Sequence, residues 1–136
     1  MGKKVKVSNL AETFKLEVVA GREGLSRQIK VADMYRPGLE MAGYFAYHPR
    51  ERVQILGRTE LTFFDTLTAE QRLDRAVKLC REEETPCLII TRGLPVPQEL
   101  AEQAEKWQMP LLRSTMATTT LVSRITGYLE NKLAPT

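Results

Sequence analysis

The chain has 136 residues and a mass of 15.5 kDa, a size that holds one compact domain and excludes two full-sized ones. Apolar residues make up 43% and charged residues 27%, the balance of a globular protein with a buried core, which sets aside disorder and a membrane-embedded chain. Twenty Lys plus Arg against seventeen Asp plus Glu leave +3, too little and too evenly spread for a nucleic-acid partner, whose footprint gathers basic side chains on one face among aromatics.

The amino terminus, Met1-Gly2-Lys3-Lys4-Val5-Lys6-Val7, lacks the apolar core of a secretory signal. No stretch approaches the ~18 consecutive apolar residues of a membrane span, so the expectation is a cytoplasmic protein with no membrane partner. Val5 and Val7 alternate with Lys6 as in a strand, Ser8 caps a short helix through Phe14, and Leu16-Glu17-Val18-Val19 forms a second strand ending at Gly21. Gly21-Arg22-Glu23-Gly24 is a turn, and a hairpin-like return follows in which Ile29 to Met34 alternate as one strand before Arg36-Pro37-Gly38.

Residues 35–64 carry six of the nine aromatic rings and form a packed, partly irregular middle. Within it, Val53-Gln54-Ile55-Leu56-Gly57 is a strand candidate and Arg58 to Phe64 supply one or two helical turns. Thr68 with Gln71 has capping-box spacing, and Leu73, Ala76, Val77 and Cys80 fall on one face of an amphipathic helix of about four turns. Cys87-Leu88-Ile89-Ile90 is continuously apolar, the signature of a strand buried on both faces of a parallel sheet. Pro97 opens a helix with Leu100, Ala104 and Trp107 on one face; Leu111-Leu112 begins another strand; and a last helix runs from about Thr118 to Leu133 with Leu121, Ile125, Tyr128 and Leu129 aligned. Strand, helix, strand, helix over residues 87–133 makes a parallel crossover unit and an α/β fold.

The search for chemistry mostly excludes. There is no G-x-x-x-x-G-K-[ST] phosphate loop. Serines lack a nucleophile elbow, and the single histidine, His48, reads as a loop or surface residue with no placed partner. Cys80 and Cys87 provide neither a zinc set nor a disulfide framework, so buried, reduced thiols and no metal site are expected. Glu82-Glu83-Glu84 reads as a solvated exit loop.

Two sets of residues are candidates. Thr91-Arg92-Gly93 and Arg113-Ser114 follow consecutive parallel strands, at the edge where open α/β sheets bind ligands; two guanidiniums with hydroxyls and a glycine suit an anion such as a nucleotide or sugar phosphate, or simply solvate adjacent loops. Arg36, Tyr44, Tyr47, Arg50 and Arg52, exposed tyrosines among arginines, suit a protein interface and possible self-association.

The strings Arg36-Pro37-Gly38-Leu39-Glu40-Met41-Ala42-Gly43-Tyr44-Phe45 and Pro49 to Leu61, with Pro97-Gln98-Glu99-Leu100, Pro110-Leu111-Leu112-Arg113-Ser114 and the closing Leu133-Ala134-Pro135-Thr136, resemble the N-terminal domain of bacterial HPr kinase/phosphorylase over essentially the whole chain. The resemblance implies a mixed, partly parallel three-layer α/β fold similar to the first domain of muramyl-peptide ligases that bind a UDP-sugar. It implies a two-domain enzyme that phosphorylates a serine of HPr with ATP, reverses this by phosphorolysis and governs carbon catabolite repression. In that family the phosphate loop, catalytic residues and metal site follow the Leu-Ala-Pro-Thr segment. Residues 1–136 would then be one noncatalytic domain of regulatory or assembly role, with no catalytic residue and no cofactor of its own. ATP and Mg would belong to a C-terminal kinase domain, this chain's covalent partner, and HPr would be the substrate of the whole protein.

Overall fold

A computed structural model describes residues 4–135. Met1, Gly2, Lys3 and Thr136, on which the readings of the amino-terminal and closing segments partly rest, lie outside the described residues.

In chain order the strands are Val5–Lys6 (β1), Glu17–Ala20 (β2), Gln28–Ile29 (β3), Met34–Tyr35 (β4), Val53–Leu56 (β5), Leu88–Ile90 (β6) and Leu111–Arg113 (β7). The helices are Val7–Thr13 (α1), Gly38–Met41 (α2), Arg58–Thr66 (α3), Ala69–Cys80 (α4), Gln98–Trp107 (α5) and Thr118–Leu133 (α6). The five-stranded sheet has the order β2-β7-β6-β5-β4; β4 to β7 are mutually parallel and β2 is antiparallel to β7. β1 and β3 form a separate two-stranded antiparallel sheet.

Every residue of β5 and β6 is buried, in β6 as its continuous apolar run requires and in β5 with the polar Gln54 buried as well. The pleat sends Val53, Ile55, Ile89 and Leu112 to one face, where they meet Leu10 of α1 and Leu121, Ile125 and Leu129 of α6. Leu56, Leu88, Ile90 and Leu111 go to the other, against Phe64, Leu79 and Leu100 of α3, α4 and α5. The strands advance across the sheet in one direction, so same-handed crossovers lay the connecting helices α3, α4 and α5 on a single face. The opposite face is filled by the two ends of the fold, giving three layers.

Several local readings need correction. The hairpin after Gly21 does not form, because β2 pairs with β7 across the whole domain. Nor is 29–34 one strand: Ile29, Ala32 and Met34 all pack on the same cluster, and a period of two cannot put odd and even positions on one face. Gly21 itself sits at φ 72°, with its α-carbon against the Met109 carbonyl, where a side chain has no room. α1 begins at Val7 and not after Ser8, since the Asn9 side-chain oxygen accepts the Lys6 backbone N–H at 3.0 Å.

In α4 the Thr68–Gln71 capping box is present in both directions, at 3.0 and 3.1 Å. Its buried face is Ala76, Leu79 and Cys80, however, and Leu73 is exposed. Trp107 is likewise exposed at the end of α5. α6 spans the residues that its periodicity predicts. His48 is not a surface residue: it is buried, its Nε2 2.8 Å from the Gln54 side-chain oxygen. The Gln54 amide donates to the carbonyls of Pro49 and Arg52, so its oxygen is left to accept and His48 Nε2 carries the proton.

Candidate functional site at the carboxyl edge

Parallel strands bring residues that follow them to one edge, and here β4, β5, β6 and β7 deliver Arg36, Gly57, Thr91 and Ser114 respectively. Glu60, in the first turn of α3, anchors the β5 end. Its Oε1 accepts from the Gly57 backbone N–H at 2.7 Å and from Arg36 Nη2 and Nε at 2.9 and 3.2 Å, while the residue is buried. A carboxylate held by three donors at a helix N-terminus is a strong cap as well as an ion pair. A β-carbon on Gly57 would stand 2.7 Å from Arg36 Nη2 and 2.9 Å from Thr118 Oγ1, so the ends of β4, β5 and α6 converge on this glycine. Beside it the Thr91 and Thr118 hydroxyls are 2.6 Å apart and buried, tying β6 to the start of α6.

The structure brings Thr91, Arg92, Gly93, Arg113 and Ser114 together, as expected of neighbouring strand ends. Most of their polar groups are already engaged, chiefly by neighbouring residues of the same edge. Arg92 N–H donates to the Met116 carbonyl at 2.8 Å and Gly93 N–H to that of Ser114 at 2.7 Å. The Ser114 hydroxyl oxygen accepts the Met116 N–H at 3.1 Å. Arg113 is bound to Glu17 through Nε and Nη2, both at 2.9 Å, and its Nη1 donates to the Leu94 carbonyl at 3.3 Å. Arg92 is exposed, at φ 59°, beside Gly93 at φ 60°. A hollow of about 340 Å³ lies over this edge between Phe14, Gly93, Arg113 and Thr115, and another of about 300 Å³ lies between Arg58, Asp65, Leu94 and Val96. A larger hollow, about 680 Å³, is on the opposite edge among Arg27, Lys30, Glu51 and Glu84, away from all of these.

The second candidate set divides. Arg36 belongs to the carboxyl edge through Glu60. Tyr44 and Tyr47 are exposed, with ring centroids 6.3 Å apart. Arg50 pairs with Glu82 at 3.3 Å and Arg52 with Glu51 at 4.0 Å. Behind them the Tyr35 hydroxyl donates to Glu40, and burial, reinforced by that bond to a carboxylate, pushes the phenol up to about 12.

Sequence reasoning missed Gly57, Glu60 and Thr118. The available signal was Glu60 three residues after Gly57, directly behind a strand, which is the N-cap to N3 spacing of a capped helix. Among the described residues, no group of three or more His, Cys, Asp or Glu side chains is arranged to hold a metal ion, and no helix is long and apolar enough to cross a membrane.

These features define a mixed α/β module with an internally bonded carboxyl edge and a separate, aromatic, charge-paired flank. The family described as HPr Serine kinase N terminus matches residues 5–129, and the chain belongs to it. HPr kinase/phosphorylase of Bacillus cereus strain G9842 is 57% identical over 133 residues, and those of B. cereus strain B4264 and Bacillus anthracis strain A0248 are 56% identical over the same length. Each alignment covers 98% of this chain and 43% of the relative, so the chain spans less than half the length of the curated relatives it matches.

Proposed function

We propose that these residues act as the noncatalytic, regulatory and assembly domain of a bifunctional HPr serine kinase/phosphorylase, within the phosphotransferase system and carbon catabolite repression. The observation that carries this is the match itself: high identity along nearly the whole chain against 43% of relatives bearing that name, in a sequence with no phosphate-loop motif. On this reading residues 1–136 form one cytoplasmic domain, with no nucleic-acid or membrane partner, whose sheet is akin to the first domain of the muramyl ligases. ATP, Mg and the HPr serine are handled by a C-terminal kinase domain. The purified chain, incubated with HPr, ATP and Mg, is expected to give no phosphoserine by mass spectrometry; phosphorylated HPr from these residues alone overturns the assignment.

A second reading, a module that holds a small anionic metabolite, draws on Arg92, which stands exposed beside Gly93. The double substitution Arg92→Ala with Arg113→Ala separates the two, because only this reading expects calorimetric binding of a nucleotide or sugar phosphate that the substitutions abolish.

A further inference from the structure

The acidic run Glu82-Glu83-Glu84 reads in sequence as a solvated exit loop; in the fold it faces a wall. It leads into β6 at the amino edge of the parallel strands, opposite the carboxyl edge, and the segment around β3 stands across from it. Glu51, two residues ahead of β5, joins the rim. The hollow so enclosed has about 680 Å³, within the usual range for a small-molecule site. Arg27 holds its shape: Nη1 donates to the carbonyls of Glu82 and Thr85 and Nη2 to that of Trp107, so this guanidinium serves the backbone.

The groups left open set the chemistry of an occupant. Thr85, in the same wall, is fully buried, and its hydroxyl has no hydrogen-bond partner. Such a hydroxyl costs stability that a polar group reaching it recovers. Among the described residues Lys30, Glu83 and Glu84 enter no ion pair, and Glu51 meets Arg52 only at 4.0 Å. Arg27 and Lys30 against Glu51, Glu83 and Glu84 leave negative charge in surplus around the hollow. That surplus repels a simple anion. A ligand with an ammonium group for Glu83 and Glu84, a carboxylate for Lys30 and a net positive charge complements the whole rim.

We propose that this amino-edge hollow binds a small zwitterion with surplus positive charge, of the basic amino-acid class. The site is separate from the carboxyl edge and needs neither reading given above. L-Lysine is the probe. Titration calorimetry on the 136-residue chain is expected to give a dissociation constant of about 10⁻⁵ to 10⁻³ M, and L-glutamate, of opposite net charge, no binding heat. Glu83→Gln with Glu84→Gln should weaken lysine at least about tenfold, with the circular dichroism spectrum unchanged because both residues are exposed. Glu84→Gln alone repeats the test should the double variant misfold. Lys30→Ala should weaken lysine and spare cadaverine, which carries the ammonium groups without the carboxylate. Thr85→Val should weaken lysine while the free chain stays at least as stable in urea, since an unpaired buried hydroxyl is removed. A chain that binds lysine no more tightly than about 10⁻² M overturns the proposal, as does binding that the glutamate variants leave unchanged or a Lys30→Ala loss that cadaverine shares.

Discussion

Arg27 shows how burial and charge compete at single residues. Its Nη1 donates to the carbonyls of Glu82 and Thr85 at 3.0 and 2.8 Å, joining the chain ahead of β3 to the approach of β6, and burial lowers its pKa. Cys80 and Cys87 both feel this guanidinium, and a nearby cation ordinarily activates a thiol. Desolvation wins: each thiol is pushed from 9.0 up to about 12, so both are inert in the folded protein. Because the unfolded chain ionises its thiols first, the stability is complete below the unfolded value of 9.0 and is lost as pH rises toward 12. Tyr35 acts in the same direction from its ordinary value of 10.0. Each thiol should cost about 1.4 kcal/mol per pH unit in this window. Urea unfolding at pH 8 and pH 10 checks this, and equal stability at the two values would sink the account.

α4 shows why an element can be found in a sequence while its orientation is not. The capping box and apolar spacing locate the helix, but the positions 73, 76, 77, 80 and 72, 76, 79, 80 satisfy the same periodicity, and the choice depends on what lies opposite. α5 and the sheet take the second face, with Ala76, Leu79 and Cys80 in the core and the Arg72 guanidinium reaching Glu99 at 2.8 Å. Leu79→Ala should therefore cost about 2–5 kcal/mol, the range for a large core residue cut to alanine, and Leu73→Ala less than about 0.5. Comparable losses in chemical denaturation would contradict the observed face. The same distinction governs the rest of the fold. Elements defined by local signals, such as β5, β6, α5 and α6, are legible. The β2–β7 pairing spans more than 90 residues and leaves no local mark, and the division of 29–34 between two sheets depends on a cluster built from elsewhere. At the carboxyl edge, strand order was enough to gather Thr91, Arg92 and Ser114. That Arg113 is held by Glu17 follows from the illegible pairing of β2 with β7.

At the scale of the whole molecule, the two faces of the sheet are assembled from different parts of the chain. One cluster draws on residues between Ala20 and Leu111, whereas the other requires both Val5 to Ile29 and Leu121 to Leu129. The Thr91–Thr118 hydroxyl pair and the edge-on packing of Phe14 against Tyr128, with centroids 5.5 Å apart, fasten α6 over that second face. Cys80 and Cys87 report on the two sides separately, one in each cluster. A chain ending at residue 116 should leave Cys87 open to alkylation while Cys80 stays protected, and equal protection of both would show that α6 is not the closing piece. On a ribosome, where residues emerge in order, this makes folding wait for the sixth helix. Until it emerges, the growing chain carries one finished face and one open apolar face, a substrate for chaperones and for premature sticking between neighbouring nascent chains.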